Sequence, residues 1–216
     1  MELTKATRPF NARGTRVKRC EHCLVALTEC ICQHRPNVYC RSAMCLIMYS
    51  GEYFKPSNTG RIIADVVSDN HAFLWQRTAL EPALKALLED PRYAPILVFP
   101  HQYADASRWI DSPANLPAVN QGKTPLFIML DGTWREAKKM FKSAYLSKLP
   151  VLGIQATAAS TYQLREAAHL HQLCTAEVAI AVLKLAEDSE AASALTEYFR
   201  LFRQAYIVHK PHLAFV

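Results

Sequence analysis

Apolar residues along this chain gather into short runs of strand length that alternate with stretches of helical spacing. Runs at 43–49 (AMCLIMY), 72–75, 93–100, 126–130 and 151–154 predict strands. The first and fourth are apolar without interruption, as in strands covered on both faces. Between them, Ile62, Ile63, Val66 and Val67 repeat at helical spacing and predict a short helix over 60–67. Thr78-x-x-Glu81 reads as a capping box opening a helix through Leu84, Leu87 and Leu88. Residues 101–124 hold one short helix at most, near 104–110, followed by a Pro/Asn/Gly-rich crossover. Residues 174–185 and 191–206 predict two long apolar-rich helices. Strands alternating with helices define an α/β fold with a mainly parallel sheet and flanking helices.

The stretch 125–141 (PLFIMLDGTWREAKKMF) organises this pattern. A buried strand ends at Asp131, Asp131 and Thr133 offer helix-capping oxygens, and Gly132 permits a sharp turn. In the helix that follows, Trp134, Ala137, Phe141 and Ala144 share one face, and Arg135, Lys138, Lys139 and Lys142 another. A carboxylate at a strand end, beside a helix N-terminus and a cationic stripe, is where α/β proteins keep their sites. The same residues also read as a helix cap with a solvated basic face.

Charge and cysteines sharpen the picture. The formal net charge is +6. Lys5, Arg8, Arg13, Arg16, Lys18 and Arg19 precede the first cysteine against one acid, Glu2, so residues 1–19 read as a basic flexible arm suited to a polyanion. Cys20, Cys23, Cys30 and Cys32 follow, a thiolate set of the kind tetrahedral zinc prefers, within a knuckle over 20–40. His22 and His34 are alternative ligands. Cys40, Cys45 and Cys174, set among apolar residues, read as small core side chains. There is no G-x-G-x-x-G, Walker loop, G-x-S-x-G elbow or H-E-x-x-H helix, which removes support for nucleotide-triphosphate and hydrolytic classes. No apolar stretch reaches membrane-spanning length and no hydrophobic core follows the basic N-terminus, so a cytoplasmic protein without membrane partner is expected.

Four separated signatures then stand in order: the cysteine cluster 20–32, Ser57-Asn-Thr-Gly-Arg61, Asp131-Gly-Thr-Trp134, and Leu173-Cys-Thr-Ala-Glu177 following Tyr162-x-Leu-Arg165. Together they closely resemble the DTW-domain family, named for an Asp-x-Thr-Trp motif, and in particular its bacterial tRNA-uridine aminocarboxypropyltransferases. The resemblance spans about residues 20–205. It implies a SPOUT-like α/β catalytic domain over 41–216, with a C-terminal part that is knotted in the SPOUT class. It also implies transfer of the 3-amino-3-carboxypropyl group of S-adenosylmethionine to N3 of a variable-loop uridine of tRNA, expected at position 47, releasing methylthioadenosine.

On that implied chemistry, Asp131 is the candidate base for the uridine N3 proton, with a purely positioning role as the alternative. Thr133 is a hydrogen-bonding partner or an N-cap, and Trp134 a stacking face or a hydrophobic anchor. Ser57, Asn58 and Thr59, with Phe99, Pro100, Leu130, Leu173, Thr175 and Glu177, are the candidate donor contacts. Arg16, Lys18, Arg19, Arg61, Arg135, Lys138, Lys139 and Lys142 are the candidate RNA contacts, with Arg61 also suited to the donor carboxylate. No obligate protein partner is evident. A non-catalytic zinc-containing RNA-binding protein and an S-adenosylmethionine-dependent RNA methyltransferase are the competing readings.

Overall fold

A computed structural model describes residues 17–154 and 173–208. Its strands are β1 (Ala43–Met48), β2 (Asn70–Leu74), β3 (Tyr93–Val98), β4 (Trp109–Ile110), β5 (Thr124–Asp131) and β6 (Val151–Leu152). Its α-helices are α1 (Gly60–Ala64), α2 (Pro82–Glu89), α3 (Pro117–Asn120), α4 (Trp134–Phe141), α5 (Thr175–Leu185) and α6 (Ser189–Ile207). The strands form one sheet in the order β2-β1-β5-β3-β6-β4 with every pairing parallel. All carboxyl ends therefore lie along one edge. From β1 the chain departs towards β2, and from β5 it departs the other way, past β3 to β6. The β1/β5 boundary is thus a topological switch point, where open α/β sheets bind ligands. There Met48 pairs with Asp131, and Tyr49 N donates to Asp131 O at 2.8 Å.

The uninterrupted apolar runs have a packing cause. Met44, Leu46, Met48, Phe127, Met129, Ile96 and Val98 point into a core shared with α1, α5 and α6. Ala43, Cys45, Ile47, Leu126, Ile128 and Leu97 point into a second core closed by Leu84 and Leu87 of α2 and Ala137 and Met140 of α4. Both faces are covered, so alternation with polar residues has no place. Pro95 is tolerated inside β3 because Leu97 N and Phe99 N donate to the β6 side, and β6 pairs only from Leu97 onward. The missing donor of Pro95 thus falls where no strand waits for it.

Several expectations are corrected. The helix of 60–67 ends at Ala64. No capping box forms from Thr78 and Glu81; α2 opens with Pro82, whose ring fixes a helical φ and holds Glu81 extended as the N-cap. Residues 101–124 contain single helical turns, the two-residue strand β4 and α3, not a helix over 104–110. Gly132 has no left-handed φ; a Cβ there would stand 3.2 Å from the Cβ atoms of Glu136 and Tyr49, so close approach is what requires glycine. The Tyr162–Arg165 signature, Arg16 and the arm up to residue 16 lie outside the described residues, as does the path of 155–172 on which any knot depends.

The cysteine segment is more than a loop without core. Cys23, Val25 and Ile31 are buried in the same core as Tyr198, Phe199 and Phe202 of α6. Asp65, just past α1, ties the two together by accepting from His22 Nε2 at 2.9 Å, Arg35 Nε at 2.9 Å and the Tyr198 hydroxyl at 3.0 Å. Its side chain is only 6% exposed, so these partners offset the cost of burying a carboxylate.

Candidate active site and metal centre

Asp131 sits at the last position of β5 and is 4% exposed. One carboxylate oxygen, Oδ2, accepts from Asn58 Nδ2 at 2.6 Å; the other, Oδ1, accepts from Thr175 Oγ1 at 2.7 Å. Asn58 is itself fixed, its Oδ1 accepting from Gly60 N at 2.8 Å. Thr59 Oγ1 accepts from Ala176 N at 3.2 Å, so an otherwise orphaned amide in the first turn of α5 is satisfied from 117 residues away. Ser57, Asn58 and Thr59 are all buried. Three signatures far apart in sequence thus close on one carboxylate. Gly60 is part of the enclosure: a Cβ there would lie 3.1 Å from Asn58 Oδ1, 3.2 Å from Asp131 Oδ2 and 3.3 Å from Leu46 Cδ1. Gly60→Ala is expected to cost about 1–3 kcal/mol from overpacking and to lower activity further than stability alone explains. Urea unfolding alongside turnover checks both.

Two helix N-termini flank the carboxylate, each closed by its own capping box. At α4, Thr133 Oγ1 accepts from Glu136 N at 3.4 Å, and Glu136 Oε2 accepts from Thr133 N at 2.7 Å and from the Thr133 hydroxyl at 2.6 Å. Thr133 therefore acts as an N-cap bonded to Glu136. At α5, Cys174 is the N-cap and Glu177 Oε2 accepts from Cys174 N at 2.8 Å. Cys174 is thus the N-cap and, as expected, also packs against the core shared with α5 and α6. Desolvation, with the Glu177 carboxylate adding to it, holds this thiol well above the usual cysteine range. Burial alone likewise pushes the Cys45 thiol to about 12, so neither is a ready nucleophile. Leu173 precedes this cap and is half-buried, as is Leu130, which pairs with Ile47 one residue before Asp131.

Trp134 does not stand alone. Its indole stacks on Phe99 (centroids 5.3 Å, 12° between planes), Phe99 stacks on Phe141 (4.5 Å, 19°), and Tyr103 meets Trp134 edge-on at 5.6 Å. Lys138 places its ammonium over both Tyr103 (5.1 Å) and Trp134 (5.3 Å), so it belongs to this aromatic wall and departs from the solvated stripe expected of it. Hydrogen bonds from Gln102 and then Lys138 lower the Tyr103 phenol below its usual range. Pro100, half-buried, turns the chain from Phe99 towards Tyr103. Tyr103 and Phe141 carry no sequence signal as site residues: one lies in an aperiodic connection, the other reads as helix core.

Among the basic candidates, Arg135 and Lys139 on α4 and Lys142 at its C-cap are exposed. Lys18 is exposed, and Arg19 Nη1 donates to Leu24 O at 3.0 Å inside the knuckle. Arg61 is committed differently. Its Nη1 donates to His22 O at 2.9 Å, its Nη2 to Tyr53 O at 2.5 Å, and its guanidinium lies 5.3 Å from the Tyr53 ring centre. Burial lowers its pKa below the usual arginine value. Arg61→Ala is expected to destabilise the fold by about 1–3 kcal/mol through unpaired carbonyls while leaving the salt dependence of RNA binding unchanged. Replacing Arg135, Lys139 and Lys142 together should instead flatten log K against log salt by about 0.7–0.9 per lost phosphate contact. Filter binding across a salt series distinguishes the two.

The Sγ atoms of Cys20, Cys23, Cys30 and Cys32 all lie within 4.8 Å of one another, with Cys20–Cys32 at 3.7 Å and Cys23–Cys30 at 3.8 Å. Four sulfurs at about 2.3 Å from a tetrahedral centre stand about 3.8 Å apart, so the set could hold a metal ion such as zinc with at most a small contraction. His22 and His34 are engaged elsewhere, with Asp65 and Gln33.

The fold and site define a parallel α/β protein whose sheet-edge carboxylate is enclosed by the β1–α1 connection and two capped helix N-termini, with a four-thiol knuckle that could hold a metal docked on one face. A family model, the DTW domain, matches residues 17–207, and the chain belongs to that family. Membership is consistent with a tRNA-modifying activity and suggests a transferase role. No solved structure matches the chain. Among the described residues no helix is long and apolar enough to cross a membrane.

Proposed function

We propose that this protein is a cytoplasmic tRNA-modifying transferase that moves the 3-amino-3-carboxypropyl group of S-adenosylmethionine to N3 of a variable-loop uridine. The observation that carries this reading is the convergence of Asn58 and Thr175, from two of the family signatures, on the buried Asp131 of a third. Bound at this edge, the donor would supply an electrophilic methylene activated by its sulfonium. The chain's own residues are left three tasks. Asp131, its plane fixed by two donors, accepts the N3 proton. The Trp134/Phe99/Tyr103 wall offers a ring face on which a nucleobase stacks, and enclosure of the site keeps water from competing as acceptor. In the balanced step an N3–C bond forms, the C–S bond breaks with its electron pair leaving on sulfur, and the proton goes to the carboxylate. Methylthioadenosine is released.

Zinc held by Cys20, Cys23, Cys30 and Cys32 would have a structural role, since four protein thiolates close its coordination. The exposed cations of α4 and the knuckle supply phosphate contacts, so the uridine is selected by its fit as an extruded base. Incubating the metal-loaded protein with S-adenosylmethionine and tRNA tests the reading. Methylthioadenosine in step with modified uridine is the expected result; S-adenosylhomocysteine would instead establish a methyltransferase, and unconsumed donor a non-catalytic RNA binder.

A further inference from the structure

The connection from β3 to β4 divides its aromatic residues between two places. Phe99 and Tyr103 join the wall around Trp134, whereas His101 turns aside and stacks on Trp109 (centroids 5.0 Å, 9° between planes). Trp109 is 46% exposed, yet it is held firmly. Its indole N–H donates to Ala104 O at 3.0 Å, and one ring face rests on the imidazole. The imidazole is anchored in turn: His101 Nε2 lies 2.9 Å from Gly153 N, 3.1 Å from Val151 O and 3.2 Å from Ile110 O. Gly153 makes room for it, since a Cβ there would come within 2.8 Å of the ring. A large apolar side chain left this exposed would ordinarily be mobile. Here the Ala104 carbonyl and a histidine seated against Gly153 at the end of β6 immobilise it.

We propose that Trp109 is a second stacking platform, outside the catalytic pocket, for an unpaired nucleobase of the RNA substrate. This rests on the reading of the protein as an RNA-modifying enzyme. With its only polar atom bonded, the indole presents a bare π-face, which accepts any base by stacking and offers no hydrogen-bond readout. Fixing the ring in advance removes the entropy that an exposed tryptophan would lose on binding. A cationic peptide could also cover such a face, but the net charge of +6, carried chiefly by residues 1–19, draws a polyanion to the protein as a whole. The charges of Asp105, Arg108 and Asp111 beside Trp109 are mixed and leave stacking as the contact there. The platform and the catalytic wall are joined by a single connection, since Ala104, which holds the indole, follows Tyr103. A nucleotide gripped at Trp109 would therefore help present its neighbours to the Trp134 wall.

The test uses full-length, metal-loaded protein without donor, titrated with oligouridine and separately with tRNA, with binding read by anisotropy of labelled RNA. Trp109→Ala is expected to bind oligouridine about tenfold more weakly. Trp109→Phe, which keeps a ring face, should recover most of the loss. Native tryptophan emission should fall on RNA addition by more than that of Trp109→Phe. Equal affinity and equal quenching in native and Trp109→Ala protein of unchanged thermal midpoint would overturn the proposal. So would a native dimer in sedimentation that Trp109→Ala converts to monomer without loss of RNA affinity, because a second copy would then cover the indole. Donor consumption is measured separately, so an inactive protein that still shows the Trp109 effect refutes the transfer reading and leaves the platform standing.

Discussion

Asp131→Asn is expected to lower turnover by about 10²–10⁴-fold while leaving tRNA affinity within about twofold. The change keeps the volume of the side chain but replaces an acceptor oxygen with an amide that cannot take the N3 proton. It also disturbs the enclosure, because Asn58 Nδ2 and Thr175 Oγ1 both donate to this carboxylate and an amide offers them one oxygen between them. Two further variants separate the effects. Asn58→Ala and Thr175→Val each remove one donor and leave the acid in place, so a base role predicts partial losses that raise no barrier comparable to Asp131→Asn. If all three variants lost activity equally, Asp131 would act by positioning alone. Wild-type turnover in Asp131→Asn, read as methylthioadenosine released per enzyme, would remove it from the mechanism.

Metal removal is the second large effect. Cys23, Val25 and Ile31 are buried against α6, and burying each such side chain is worth about 1.5–3 kcal/mol. Releasing the knuckle forfeits most of that and leaves Asp65 without His22 and Arg35. A loss of about 5 kcal/mol corresponds to a fall of about 10–20 °C in thermal midpoint for a chain of this length. Chelator-treated protein should therefore melt well below the metal-loaded form, and Cys23→Ser should mimic it. Cobalt substitution should give the absorption bands of tetrahedral thiolate coordination. Affinity for tRNA should fall with the metal; equal affinity with and without it would contradict a role for the knuckle in RNA capture. Arg61 extends the consequence inward, since it bonds His22 O and directly follows Gly60, which opens α1 and packs on Asp131.

Much of this architecture was legible in residue order. The strand β1, the run ending at Asp131 and the helices α5 and α6 follow from periodicity because helices cover the sheet on both faces and leave no polar alternative. Where periodicity fails, so does prediction. The 101–124 connection is built from single turns and the two-residue β4, too short for any repeat to register. The Thr78 to Glu81 pattern matched a capping box locally, but Pro82 dictated the helix start through its fixed φ. The Thr-x-x-Glu and Cys-x-x-Glu spacings at 133–136 and 174–177 were visible signals for the boxes that do form.

The amino-acid order alone determined that a strand ends in an acid before a basic helix, that four thiols lie close enough to share a metal, and that both faces of the sheet are buried. These are properties of neighbours along the chain, set by local sterics and hydrophobic period. Only the tertiary structure decided which distant groups meet. It bonded Asn58 and Thr175 to Asp131, turned Arg61 and Asp65 into ties between knuckle and domain, and drew Lys138 onto aromatic rings. Such contacts depend on strand order and helix docking, and a buried polar atom takes whichever partner the assembled fold brings within reach.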